Sequence, residues 1–481
     1  MNVNRLNVEP ALLAALLALS FSLPVFAQSP AAPPAAEIPA GAVVARVECA
    51  QQPEQTYALY LPSYFTRDRI WPVIFALDPA ARGAVPVELM KAAAEQYGYI
   101  VAGSHNSRNG PFTPSYQAAA AMAQDVSRRF PVDGKRVYFT GFSGGARAAV
   151  VVAKLCQGCA AGVILHGAGF PPDYPPDKDV QFAVFSAIGT LDFNYSEVVP
   201  LQEKFDALGI THRLRRFDGP HQWAPPEVWL EAVAWLDLLA MKQDRLLRND
   251  AFIAQQLAHR AAHAGQRQAA GDPFAAWQEY RDIARDFAGL ADVSEATAQA
   301  AALQRSPRTQ ELLQAERKEF EEEARILAGF ESAFSRLLNV PAQRLHARAA
   351  VEAEVQALRH RREREKESPA SRVTERSFTQ VSARLFEAGD HARREKDYDL
   401  ALIHFEVWST LLPAQPAPSY HLARTWAAAG KKKNALRALR NAVALGLSRP
   451  ESLAHEDFAS LQSDGEFQKL LAEVKKKAAP P

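Results

Sequence analysis

Between residues 41 and 243, short unbroken apolar runs alternate with helix-length segments, and this alternation limits the fold more than any other feature. The runs are "VIFALD", "YIVAGS", "RVYFTG", "AGVILHG" and "FAVFSAIG", and the more polar "THRLRRFDG" reads as a further strand. A strand that is apolar at every position must be buried on both faces, which calls for helices above and below a sheet. The intervening segments "LMKAAAEQYG", "YQAAAAMAQDVSRRF", "GARAAVVVAKL", "SEVVPLQEKFDALG" and "PPEVWLEAVAWLDLLAMK" supply them. Strand-helix repetition of this length predicts βαβ units and a mostly parallel sheet in an α/β domain over residues 41–243. At its start, "AVVARVEC" and "TYALYLP" predict an antiparallel pair with "AQQPEQ" as the turn.

Beyond that domain the strand signal stops. Residues 244–370 carry long Ala/Glu/Arg-rich helical segments whose charge runs read as solvated faces. Over residues 371–478 two stretches share a period: Leu385, Gly389, Tyr398, Ala401, Phe405, Trp408 and Pro413, then Leu422, Ala423, Trp426, Gly430, Ala435, Leu439 and Ala442. Ala401 and Ala435 stand 34 residues apart, and this all-α part resembles tetratricopeptide-like repeats. The closing stretch Glu451–Lys477 is expected to cover the end of the stack. Such helices imply a protein partner or self-association, or a stabilising appendage.

At the other end, Arg5, the apolar stretch Ala11–Phe26 and Val25-Phe26-Ala27 form the pattern of a signal peptide over residues 1–27. Residues 28–40 form a Pro/Ala-rich linker. Export to the periplasm or outside the cell is expected, with no membrane span after cleavage. Lys+Arg 55 against Asp+Glu 54 argues against a nucleic-acid footprint spread over the protein. An exported chain can hold a disulfide; Cys156 and Cys159 are close enough for a small loop, as a structural pair or as plain buried thiols, and Cys49 is left over.

The chemistry centres on "VYFTGFSGGARAAVVVAKL", residues 137–155. Gly141-Phe142-Ser143-Gly144-Gly145 lies between a buried strand and a helix, the setting of a nucleophile elbow. An elbow serine needs a base and the base an orienting carboxylate, in the chain order Ser, acid, His on loops after strands. Asp192 follows "FAVFSAIG" and His221 follows "HRLRRFDG", in that order, with Glu197 as reserve acid. His105, His166 and His212 break the order or the placement. The N–H of Gly144 is the expected first oxyanion donor. In "LDPAARG", Pro79 has no N–H, so the Ala80 amide is the expected second, with Ala81 next. His105, Asn106 and Arg108 are candidate substrate contacts, and Trp223 a candidate pocket wall.

"GFSGG", "GTLD" and "GPHQW" in this order are similar to serine esterases of the α/β-hydrolase superfamily related to polyhydroxybutyrate depolymerases, feruloyl esterases and dienelactone-hydrolase-like proteins. Two departures stand out: "LDPAAR" replaces the His-Gly of many relatives, and the nucleophile is Ser where dienelactone hydrolases proper use Cys. The resemblance implies acyl-enzyme chemistry without metal or organic cofactor. An ester substrate is expected, polymeric esters included, because "GAGFPPDYPPDKD" leaves no room for a large cap over the cleft. The rival readings are a peptidase of the same fold and a partner-binding helical protein with a degenerate hydrolase domain.

Overall fold

The computed structural model describes residues 38–478, with 341 and 343 excepted. The expected signal peptide and nearly all of the linker lie outside these residues. An eight-stranded sheet runs in the order β1-β2-β4-β3-β5-β6-β7-β8. Its strands are β1 (Val43–Cys49), β2 (Gln52–Tyr60), β3 (Trp71–Leu77), β4 (Ile100–Ser104), β5 (Val132–Phe142), β6 (Gly162–His166), β7 (Ala183–Gly189) and β8 (His212–Phe217). β1 and β2 pair antiparallel, as do β2 and β4; every other pairing is parallel. The hairpin turn is shorter than "AQQPEQ": β2 already starts at Gln52, opposite Cys49, and a bulge between Glu48 and Cys49 absorbs the residues up to Thr56.

Every residue of β3, β4, β6 and β7 is buried. Along β3 the two-residue period sends Val73, Phe75 and Leu77 into one apolar layer and Ile74 and Ala76 into the other. Helices α1 (Ala84–Tyr97), α2 (Phe112–Arg129) and α3 (Gly144–Leu155) follow β3, β4 and β5. After β7 the chain forms α4 (Tyr195–Val198) and α5 (Leu201–Leu208); Pro200, between them, divides what the sequence suggested was one helix. α6 (Pro226–Lys242) follows β8. α2 and α3 cover the first layer with Met122, Val126, Ala149 and Val150. α1 and α6 cover the second with Met90, Ala94, Trp229 and Trp235.

The helices after residue 243 begin with α7 (Asp250–Ala269), α8 (Pro273–Asp286) and α9 (Ser294–Arg305). They belong to the same compact unit as the sheet, which ends at Ala315. Ile253, Ile283 and Phe287 pack against Leu238 and Met241 of α6. Arg213 of β8 lies 3.3 Å from Glu231, 3.6 Å from Glu279 and 3.9 Å from Asp286, and Arg260 bonds Glu279 and Asp286 at 2.7 Å each. The outer strand is thereby shielded by charged and apolar contacts instead of presenting an open edge.

The second unit begins at Glu316, within α10 (Pro307–Asn339). It contains α11 (Arg344–Glu365), α12 (Ser371–Arg394), α13 (Tyr398–Leu411), α14 (Pro416–Ala428), α15 (Lys432–Ala444) and, after two short 3₁₀ turns, α16 (Gly465–Ala478). The 34-residue period is visible in its backbone. Lys396 (φ 63) and Gly430 (φ 72) are both left-handed. The Asp397 N–H bonds the Ala392 carbonyl as the Lys431 N–H bonds that of Trp426, and Ala401 to Asp397 repeats as Ala435 to Lys431. Among the described residues no helix is long and apolar enough to cross a membrane.

Candidate active site

β5 delivers Phe142 to the edge of the sheet, and the chain turns at Ser143 into α3. Ser143 has φ 53 and ψ −122, a conformation L-residues adopt only under constraint. Its N–H is fixed by the His166 carbonyl at 2.8 Å, and its own carbonyl accepts the Ala146 N–H at 3.0 Å. The flanking glycines permit the turn: a Cβ on Gly141 would strike the backbone of Gly145, and one on Gly145 the carbonyl of Leu77. The Gly144 N–H, first in the helix, has no hydrogen-bond partner among the described residues. It adds to the positive end of the helix dipole.

The loops after β7 and β8 are joined by backbone hydrogen bonds, Thr190 N–H to Phe217 at 2.9 Å and Leu191 N–H to Gly219 at 2.9 Å. This brings Asp192 to His221, whose Nδ1 lies 2.9 Å from both carboxylate oxygens. Asp192 is fully buried and accepts the Asn194 N–H at 2.8 Å. The imidazole lies between Phe142 and Phe193, with ring centres 4.5 and 4.1 Å away. Gly167 (φ 65) passes so close that a Cβ there would sit 2.9 Å from Asp192 Oδ2 and 3.2 Å from His221 Cε1. With Nδ1–H donated to the carboxylate, Nε2 carries the free lone pair that a general base needs. Among the described residues neither Nε2 nor the Ser143 hydroxyl has a hydrogen-bond partner.

The reserve acid is elsewhere: Glu197 bonds Arg147 at 2.6 Å and accepts the Gly169 N–H at 3.0 Å. His166 is also outside the acid-base pair. Its ring packs at a tilt against Trp229 at 4.1 Å and Trp223 at 5.2 Å, its nitrogens have no partner among the described residues, and burial lowers its pKa to about 3.

The loop after β3 corrects the expectation for Ala80. Asp78 is fully buried there. Its carboxylate is solvated by the Ala80 N–H (2.8 Å), the Arg82 side chain (3.0 and 2.9 Å) and Trp223 Nε1 (2.9 Å). Burial pushes its pKa up, but the bonds from Arg82, Trp223 and Ala80 outweigh that and hold it below the ordinary value. The Ala80 amide is therefore committed to Asp78, and the Ala81 N–H bonds the Asp78 carbonyl at 3.2 Å. Ala81 itself is left-handed, with φ 60. Trp223 is buried and braces this loop instead of lining an open pocket.

Two candidate substrate contacts brace the β1–β2 hairpin. His105 Nε2 lies 2.8 Å from the Ala45 carbonyl. The Asn106 carboxamide accepts the Thr56 N–H at 2.8 Å and donates to the Glu54 carbonyl at 2.9 Å. Arg108 is exposed and pairs through its backbone with Ala80. The next residue, Asn109, was not singled out by sequence, yet its carboxamide lies over Gly144. At the far end of α3, Cys156 and Cys159 are disulfide-bonded, while Cys49 is free, and burial pushes its thiol up to about 12. Among the described residues no three His, Cys, Asp or Glu side chains converge as metal ligands.

The strand order and the turn-borne serine make residues 41–243 an α/β-hydrolase fold, continued by a long helical region. Residues 80–226 match the model of the Dienelactone hydrolase family. Solved structures similar to the chain include an S-formylglutathione hydrolase from Staphylococcus aureus (13% identity, TM-score 0.34, covering 42% of this chain and 99% of that one). A ferulic acid esterase is 15% identical, with TM-score 0.33, covering 38% and 91%. Esterase B from Lactobacillus rhamnosis is 18% identical, with TM-score 0.36, covering 49% and 94%. No curated protein matches the chain.

Proposed function

We propose that the protein is an exported serine hydrolase that cleaves carboxylic esters through Ser143, His221 and Asp192. The observation that carries this reading is the His221–Asp192 pair at 2.9 Å, packed on Phe142, the residue before a serine held at positive φ on an elbow. His221 Nε2 takes the proton as Ser143 Oγ attacks the ester carbonyl carbon and the carbonyl π electrons move to oxygen. The tetrahedral adduct collapses, the C–O bond to the alcohol breaks, and the alkoxide leaves with the proton from Nε2. Water repeats the sequence on the acyl-enzyme, releasing the acid and restoring the Ser143 hydroxyl. Asp192 holds the imidazole tautomer and stabilises the transient imidazolium, and the Gly144 N–H faces the developing oxyanion.

Export is supported by the N-terminal sequence pattern and is compatible with the Cys156–Cys159 disulfide. The 34-residue repetition of α12–α15 supports tetratricopeptide-like repeats that bind a protein partner or a second copy. Hydrolysis of p-nitrophenyl acetate and butyrate by the wild type and by Ser143→Ala tests the central reading. The wild type turns over and the variant loses at least about 10⁴-fold in kcat; a variant with undiminished activity would sink it.

A further inference from the structure

A carbonyl oxygen becoming an oxyanion is stabilised by hydrogen-bond donors, and one of them is worth about 10²–10³ in kcat. Among the described residues the Gly144 N–H has no partner, but the Ala80 amide, expected from the sequence to be the second donor, is held by Asp78. The side chain nearest the Cβ position of Gly144 is that of Asn109, an exposed residue. Its backbone is tied to the same loop, since the Asn109 N–H bonds the Pro79 carbonyl at 2.8 Å and the preceding residue pairs with Ala80. Its carboxamide lies against Gly144: a Cβ built there would overlap Oδ1 and lie 2.9 Å from Cγ and 3.6 Å from Nδ2.

We propose, building on the ester-hydrolase reading above, that the Asn109 side-chain NH₂ is the second oxyanion donor. The carboxamide has no hydrogen-bond partner among the described residues, so nothing fixes which end faces Gly144. A half-turn about χ2 exchanges its oxygen and nitrogen. Developing negative charge selects the orientation that donates. The same contact explains why position 144 is glycine: any side chain there would displace the Asn109 amide. Asp78 then has a different task. It orders the loop to which the Asn109 backbone is tied, through the Ala80 N–H, Arg82 and Trp223, instead of leaving that N–H to the substrate.

The test uses the full chain with Asn109→Ala, Asn109→Asp and Ser143→Ala. Active sites of the wild type and the Asn109 variants are titrated to completion with a fluorophosphonate, so that unfolded molecules do not count, and folding of Ser143→Ala is checked by circular dichroism. Asn109→Ala is expected to lower kcat on p-nitrophenyl acetate about a hundredfold with KM changed less than threefold. A trifluoromethyl ketone, which forms a hemiketal oxyanion on the serine, should lose affinity by a similar factor. Asn109→Asp, which offers only acceptors and a negative charge, should fall below Asn109→Ala. If Asn109→Ala keeps kcat and ketone affinity within threefold while Ser143→Ala is inactive, the Asn109 assignment is overturned and the serine mechanism stands. If Ser143→Ala is itself active, both fall.

Discussion

At the level of single residues, the site is a set of conflicts resolved by burial. A fully buried carboxylate must be solvated by the protein, and both Asp78 and Asp192 are. Asp192 meets this need with His221 and the Asn194 N–H, which fixes the imidazole tautomer. Asp192→Asn cannot accept from Nδ1–H in the same way, so kcat should fall about 10³–10⁴-fold with little change in KM, measured on p-nitrophenyl esters. A loss below tenfold would mean that His221 is not oriented by Asp192. Asp78 meets the same need by capturing the Ala80 amide, and this was not legible in the sequence. "LDPAARG" shows which backbone amides exist, but not that a buried side chain will compete for one of them. Asn109 escaped notice for a related reason: its importance lies in contact with Gly144, 35 residues away in the chain.

Among the secondary-structure elements, much was legible. Apolar runs identified β3 to β7, because strands buried on both faces leave an unmistakable composition. Chain order placed Ser143, Asp192 and His221 after β5, β7 and β8, at one end of the parallel strands. The extent of the first unit was not legible, since α7 and α8 look like ordinary solvated helices until Arg213 of β8 is found among the carboxylates of α8. Arg260 is the hinge of that network, almost buried, with two carboxylates at 2.7 Å. Arg260→Ala should destabilise the first unit by about 3–5 kcal/mol in urea titration, because Glu279 and Asp286 stay buried with weaker compensation. A change under about 1 kcal/mol would show that the network is ornamental.

Across the whole molecule, histidines removed from water link stability to pH, among them His166, His404 and the partly exposed His421. Burial lowers the pKa of His166 to about 3 and that of His421 to about 3. In His404 burial, assisted by Arg344, lowers it to about 4. Each is neutral when folded and ionises near 6.5 when unfolded, so the unfolded chain binds more protons as pH falls. Their contribution is complete above pH 6.5 and is lost progressively below it. The thermal midpoint should therefore drop from pH 7 to pH 5, with His421→Leu flattening that slope; an unchanged midpoint over this range would contradict the assignment. His404 and His421 lie in the second unit and His166 in the first, so both units should weaken together.

The most direct test of the account is to locate the covalent adduct. Purified protein is reacted with a fluorophosphonate and digested, and the labelled peptide is sequenced by mass spectrometry. A single stoichiometric adduct is expected on Ser143, absent from Ser143→Ala and slowed strongly in His221→Ala. Label on another residue, or none at Ser143 in folded protein that still hydrolyses esters, would contradict it.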